Sequence, residues 1–358
     1  MSFPYGKNIK LYIDGESHGD KLTMTLCGFP AGMKVNEAFL SSFMKRRAPG
    51  QNEWSTLRKE ADKPVFLSGI ENGITTGGKI TAVIYNTNQH SGDYGDAGII
   101  PRPSHADFPA IIKYGRDVDL RGGGHFSGRL TALTCIAGAL AMQYLREKGI
   151  EIKAHIFSVG TVKDTPFGIA CDEKISDSFP VINEAAGEEM KAVIADAKEK
   201  LDSVGGVIEC AVTGLPAGLG EHLFAGAEGR ISASVFAVPG VKGIEFGNGF
   251  RCAELHGSEN NDGFYFDGDT VKTSTNNCGG ILGGISNAMP LVFTAALKPT
   301  PSIAKTQNTI SFESKENVTL NIVGRHDPCI VQRAVPVVEA AAAIAIADLM
   351  ISHLKDSE

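Results

Sequence analysis

Histidines and arginines set beside glycines are the residues of this chain whose spacing invites chemistry. Gly15-Glu16-Ser17-His18-Gly19 places a hydroxyl next to an imidazole between two glycines. Glycine permits tight backbone geometry and imidazole titrates near neutrality, so His18 suits a general acid or an anion contact. The same five residues also make an ordinary turn with a locally bonded serine. Lys45-Arg46-Arg47-Ala48-Pro49-Gly50-Gln51, with Arg58 following, clusters guanidiniums before a Pro-Gly turn. Such a run captures phosphate or carboxylate bidentately, or is a solvated basic loop. Arg102-Pro103-Ser104-His105-Ala106-Asp107 and Arg116 come next. Arg121-Gly122-Gly123-Gly124-His125-Phe126-Ser127-Gly128-Arg129 then opens a small-residue segment. A glycine-rich loop entering a helix offers free N–H groups and the positive dipole end to an anion. It matches neither the Walker loop nor G-x-G-x-x-G. Lys298-Pro299-Thr300-Pro301-Ser302 and Gly324-Arg325-His326-Asp327-Pro328-Cys329, with Arg333 after them, complete the set.

Long elements must carry these motifs. Residues 128–148 and 334–355 are rich in Ala, Leu and Ile, and the second has acids only at Glu339 and Asp348. Helices apolar on most faces belong between other layers. A third helix, 183–203, has one charged face and belongs on the surface. Short β-type runs fall at 10–13, 23–28, 80–85, 206–213 and 290–297, several alternating apolar and polar residues. Strands and helices cluster instead of alternating, which favours an α+β fold. An internal repeat is legible. Gly28-Phe29-Pro30-Ala31-Gly32 is echoed by Gly214-Leu215-Pro216-Ala217-Gly218, Gly77-Gly78 by Gly283-Gly284, and Arg129 by Arg333, at offsets of 186, 206 and 204 residues. We therefore expect one domain over 1–358. It is a pseudo-symmetric β-α-β sandwich with long central helices between antiparallel sheets. Its two halves, about 1–150 and 205–358, are joined by a surface helical segment.

Composition narrows the function. The net charge of −7 argues against a nucleic-acid binder, yet nine of the twelve arginines fall in or beside the motifs, so a basic pocket is compatible with an acidic chain. Residues 1–13 show no signal peptide, and no stretch reaches 18 apolar residues free of charge, so neither export nor a membrane span is expected. Seven cysteines without a C-x-x-C pair fit reduced thiols in the cytoplasm and no metal site. The residues themselves point to an enzyme or binder acting on a polyanionic small molecule, and they identify no redox cofactor.

In this order, from residue 10 to about 350, the motifs resemble those of chorismate synthases. Those carrying the likeness are Gly15 to Gly19, Arg102 to Asp107, Arg121 to Gly124, Gly279-Gly280-Ile281-Leu282-Gly283-Gly284-Ile285-Ser286, Lys298 to Thr300 and Gly324 to Cys329. The resemblance implies anti-1,4-elimination of phosphate from 5-enolpyruvylshikimate 3-phosphate, the last step of the shikimate pathway. It also implies reduced FMN as cofactor, NADPH as a candidate reductant, and a homotetramer in the cytoplasm. By position, His18, His105 and Asp327 match the catalytic residues. Ser17, Arg47, Arg102, Ser127, Arg129 and Arg325 match substrate contacts. His125, Phe126, Ser127, Gly283, Lys298, Pro299, Thr300, Pro301, Ser302 and Arg325 match cofactor contacts. Departures from the family run stand at His125, Phe126, Gly128 and Leu130, where the family has a glutamate, at Glu53, and at Pro239-Gly240. Two other readings are a flavin- or phosphate-binding regulator without catalysis and an NADPH:flavin oxidoreductase.

Overall fold

The computed structural model describes residues 4–50, 62–86, 99–322 and 327–356. Arg325, Glu53 and Arg58 lie outside the described residues. The helices are α1 (Glu37–Arg47), α2 (Asp107–Tyr114), α3 (Thr131–Arg146), α4 (Glu184–Glu199), α5 (Ala227–Phe236), the single turn α6 (Gly257–Asn260) and α7 (Val331–Asp356).

Two antiparallel sheets enclose the central helices, so the fold is α+β. The first sheet runs in the order Lys10–Gly15, Lys21–Cys27, Ile80–Tyr85, Val65–Ser68. The second runs Val162–Lys163, Glu151–Val159, Gly206–Thr213, Leu291–Leu297, Val241–Phe246. Period-two patterning builds both. Leu22, Met24 and Leu26 of the first sheet point inward, as do Leu291, Phe293, Ala295 and Leu297 of the second. The first sheet packs on α3, the second on α7, and α3 against α7 is the most extensive contact between any two elements. Gly138 makes that approach close. A Cβ there would lie 2.3 Å from Ala340 Cβ and 2.4 Å from Ala340 Cα.

Two acids of α7, Asp348 and Glu339, act as latches. Asp348, fully buried, accepts backbone N–H groups from Lys7 at 2.9 Å, Asn8 at 2.6 Å and Ile9 at 2.7 Å, and pairs with Arg230. Glu339 accepts Arg46 at 2.6 and 2.9 Å and the Ala154 N–H at 3.0 Å. Buried carboxylates survive only with such partners. The stretch Val331–Leu354 is long and apolar enough to cross a membrane, yet its most apolar 18-residue window is buried inside the molecule.

Helix boundaries differ modestly from expectation. α3 starts at Thr131, because Gly128–Leu130 is a 3-10 turn whose first N–H groups are capped by Ser127. α7 starts at Val331 and contains Pro336. α4 starts after the Asn183 cap, as its sequence suggests, but ends at Glu199, near the left-handed Leu201 (φ 57°).

One pairing of glycines needs correction. Gly28 (φ 76°) and Gly214 (φ 77°) do hold the same place: a Cβ on either would lie 2.1 Å from a carbonyl oxygen, of Asn8 or of Gly149. Gly77 and Gly283 do not. Gly77 follows the strand Ile74–Thr76, whereas Gly283-Gly284 turns the hairpin Ile281–Leu282/Ile285–Asn287. The counterpart of that hairpin is Ile70–Glu71/Ile74–Thr76, turned by Asn72-Gly73. The left-handed position of Gly77 is taken in the second sheet's connection by Ala288 (φ 68°).

Candidate active site

The glycine-rich turn shapes the floor of the site. Gly122, Gly123 and Gly124 all have positive φ. A Cβ on Gly122 would lie 2.3 Å from His18 Cε1 and 2.9 Å from Ser17 Oγ. The imidazole therefore rests directly on the glycine backbone, and His18 and Ser17 are both buried. The Ser17 N–H donates to the Gly124 carbonyl at 3.2 Å, joining the two motifs. Ser127 ends the turn, its Oγ accepting the Arg129 N–H at 3.2 Å.

Beneath this turn lies a buried cluster of arginines and carboxylates. Asp62 accepts Arg47 Nη1 at 2.7 Å on one oxygen and pairs with Arg129 Nη1 through the other. Arg47 also donates to Thr131 Oγ1 at 3.3 Å and to the Gly128 carbonyl at 2.9 Å, so it supports the turn from below. Arg333 donates to the Arg47 carbonyl at 3.2 Å and to Asp327 at 2.5 Å. Burial pulls the Arg333 guanidinium below its ordinary value, opposed by the Asp327 charge. Three guanidiniums against two carboxylates leave one positive charge, which suits an anion in a dry pocket.

A second group surrounds His105. Its Nε2 lies 2.6 Å from Ser302 Oγ. Lys298 donates to the carbonyl of Ser104, a serine held at φ 58°, across 2.7 Å. Burial, then the nearby Lys242 charge, lowers the Lys298 ammonium from its usual range. Ser203 donates to the Thr300 carbonyl at 2.6 Å. Ser104, Lys298, Thr300, Ser203 and their neighbours line a pocket of about 300 Å³. The buried Thr300 Oγ1 has no hydrogen-bond partner among the described residues. The two groups meet through the chain next to Asp327: the Val204 N–H donates to the Pro328 carbonyl at 2.9 Å.

Other candidates stand apart. Both oxygens of buried Asp107 grip the Arg102 guanidinium at 2.7 Å, so Arg102 anchors the His105 loop in this structure. His125 is half exposed on the outer side of the turn, 3.4 Å from Glu16. Phe126 is on the surface beside Tyr114. Near them Asp119 is held at about 2, chiefly by hydrogen bonds from Arg121, whereas burial and Asp119 raise Glu16. Gly283 sits in a hairpin turn with open space at its Cβ position, in neither group among the described residues, and it is the next residue, Gly284, that lies against Glu221 and Gly226. Motif reasoning missed Asp62, Asn86 and Ser203. Asn86 donates to the Gly19 carbonyl at 2.6 Å and accepts Arg129 Nη2 at 3.2 Å.

The chain resembles known proteins over nearly its whole length. The family model described as chorismate synthase matches residues 9–351. The chain belongs to the chorismate synthase family. A chorismate synthase of Lancefieldella parvula is 42% identical, covering 98% of this chain and 97% of the relative. One from Dehalococcoides mccartyi is 44% identical, covering 98% and 96%. A solved chorismate synthase structure superposes with a TM-score of 0.76 at 28% identity, covering 98% of this chain and 93% of that one. Chorismate synthases are lyases acting at the last step of the shikimate pathway.

Proposed function

We propose that the chain converts 5-enolpyruvylshikimate 3-phosphate to chorismate by anti-1,4-elimination, with reduced FMN as cofactor. The observation that carries this reading is the joining of the Arg47–Asp62–Arg129–Arg333–Asp327 cluster to the turn of His18, next to the His105–Ser302 pair. The 300 Å³ pocket fits a flavin phosphate and its polyol arm in donor chemistry, since it carries one ammonium, several hydroxyls and the unsatisfied Thr300 Oγ1, and its one carboxylate, Asp202, is already paired with Lys305. Lys298 and Thr300 would hold it there, with Ser302 behind them on His105. When bound, reduced FMN supplies electron density that eases C–O cleavage.

The chain's own groups do the rest. Arg129 and its neighbours hold the substrate anions, and His105, oriented by Ser302, stabilises the departing phosphate. His18, packed on Gly122, supplies a proton or a charge from a fixed position. The Asp327 carboxylate, tethered by Arg333, relays the proton leaving C6. The buried setting strengthens each interaction.

The two-halves reading is supported by strand order, Lys10–Gly15, Lys21–Cys27, Ile80–Tyr85 and Val65–Ser68 answering to Glu151–Val159, Gly206–Thr213, Leu291–Leu297 and Val241–Phe246, but this match draws 151–159 into the second half instead of the joining segment and leaves Val162–Lys163 as an extra edge strand. The homotetramer reading is supported by exposed Phe224, Phe250, Phe264 and Phe266. An anaerobic assay with purified chain, substrate and reduced FMN tests the activity. Chorismate release is expected, and none with folded protein overturns the proposal.

A further inference from the structure

Asp62 belongs to none of the motifs, yet both Arg47 and Arg129 depend on it. It is 2% exposed and gives one carboxylate oxygen to each guanidinium. Its backbone lies at φ 46°, a left-handed conformation that Asp tolerates better than most side chains. Two buried cations side by side repel, and a carboxylate shared between them removes that repulsion while fixing both planes. Arg129 then reaches the other way, through Nη2, to Asn86 Oδ1 at 3.2 Å. A guanidinium only donates, so this contact fixes which face of the amide is the carbonyl. Asn86 Nδ2 is thereby directed at the Gly19 carbonyl, 2.6 Å away, behind His18.

We propose that Asp62 and Asn86 are positioning residues for the reaction. Asp62 aims the Arg129 guanidinium at the substrate anion, and Asn86 ties that guanidinium to the turn that carries His18. This rests on the reading that Arg129 binds substrate. The sign of the effect separates positioning from charge alone. Deleting the Asp62 charge makes the pocket more positive, which by itself tightens anion binding. Loss of positioning weakens it.

The test uses the full chain and the variants Asp62→Asn, Asp62→Glu and Asn86→Leu. Thermal unfolding reports folding, calorimetry with inorganic phosphate reports the anion site, and steady-state assays with reduced FMN separate KM from kcat. For Asp62→Asn, phosphate affinity falls and KM rises by about 10–100-fold, the scale of a charge-assisted hydrogen bond lost. Asp62→Glu, which keeps the charge but shifts it, is intermediate. Asn86→Leu lowers kcat and leaves phosphate affinity near wild type. Unchanged or tighter phosphate binding in folded Asp62→Asn overturns the Asp62 role. If that variant does not fold, a wild-type KM in Asp62→Glu overturns it instead. A wild-type kcat in Asn86→Leu overturns the Asn86 role. Wild-type chain that binds phosphate without forming chorismate refutes the assigned reaction while the phosphate series still judges Asp62. Wild-type chain that binds no phosphate refutes the anion site itself.

Discussion

Gly122 shows how far a single missing methyl group reaches. Its Cα supports the His18 ring, and an added Cβ would overlap Cε1 at 2.3 Å in a left-handed backbone. Gly122→Ala is expected to fold but to displace His18. Turnover should then fall toward the roughly 10²–10⁴-fold loss that follows removal of a general acid, as measured by kcat against His18→Ala. Asp119, on the outer side of the same turn, gives a pH prediction. Its carboxyl is held at about 2 instead of the ordinary 3.8. The folded state thus binds that proton more weakly than the unfolded chain. Asp119 stabilisation is complete above 3.8 and is lost as pH falls from there to about 2. Urea unfolding of Asp119→Asn should show a shallower acid limb in that window. At this scale the sequence disclosed the residues proposed to carry chemistry and hid those proposed to aim them. Histidine and arginine beside glycine form a visible pattern. Asp62, inside a lysine- and glutamate-rich run, looks like any solvated acid until the fold brings two guanidiniums to it.

Among the elements, the crossing of α3 and α7 is the tightest joint. Gly138 faces Ala340 with no room for a methyl group, and the collision involves backbone as well as side chain. Gly138→Val should destabilise the protein toward or beyond the upper end of about 1–3 kcal/mol, measured by denaturant unfolding, because two long helices cannot part locally. The helices were legible because runs of small apolar residues have few other uses. The glycine pairing was less so. Gly77 and Gly283 share a letter but not a place, while Gly77 and Ala288 share a backbone conformation but not a letter. Left-handed positions favour glycine without requiring it, so matched glycines misplace a register by several residues.

For the molecule as a whole, burial governs the thiols. Cys135 and Cys329 are pushed up to about 12 by burial, and burial also raises Cys210 well above its ordinary value. Cys252 is exposed. Maleimide labelling of native protein should modify Cys252 quickly and spare the other three until the core unfolds. The proposed homotetramer would cover the exposed phenylalanines of the second half, and a sedimentation mass near 37.9 kDa in ultracentrifugation would refute that assembly. The Asp348 latch has a further consequence, for biosynthesis. Its carboxylate holds residues 7–9, so strands made early wait for a helix made more than three hundred residues later. The ribosome adds roughly 5–20 residues per second, so α3 reaches the first sheet within seconds of Tyr85 but Asp348 follows only after tens of seconds. During that interval the face of α3 around Gly138 has no α7 against it, and the nascent chain depends on whatever shields that face in the cell.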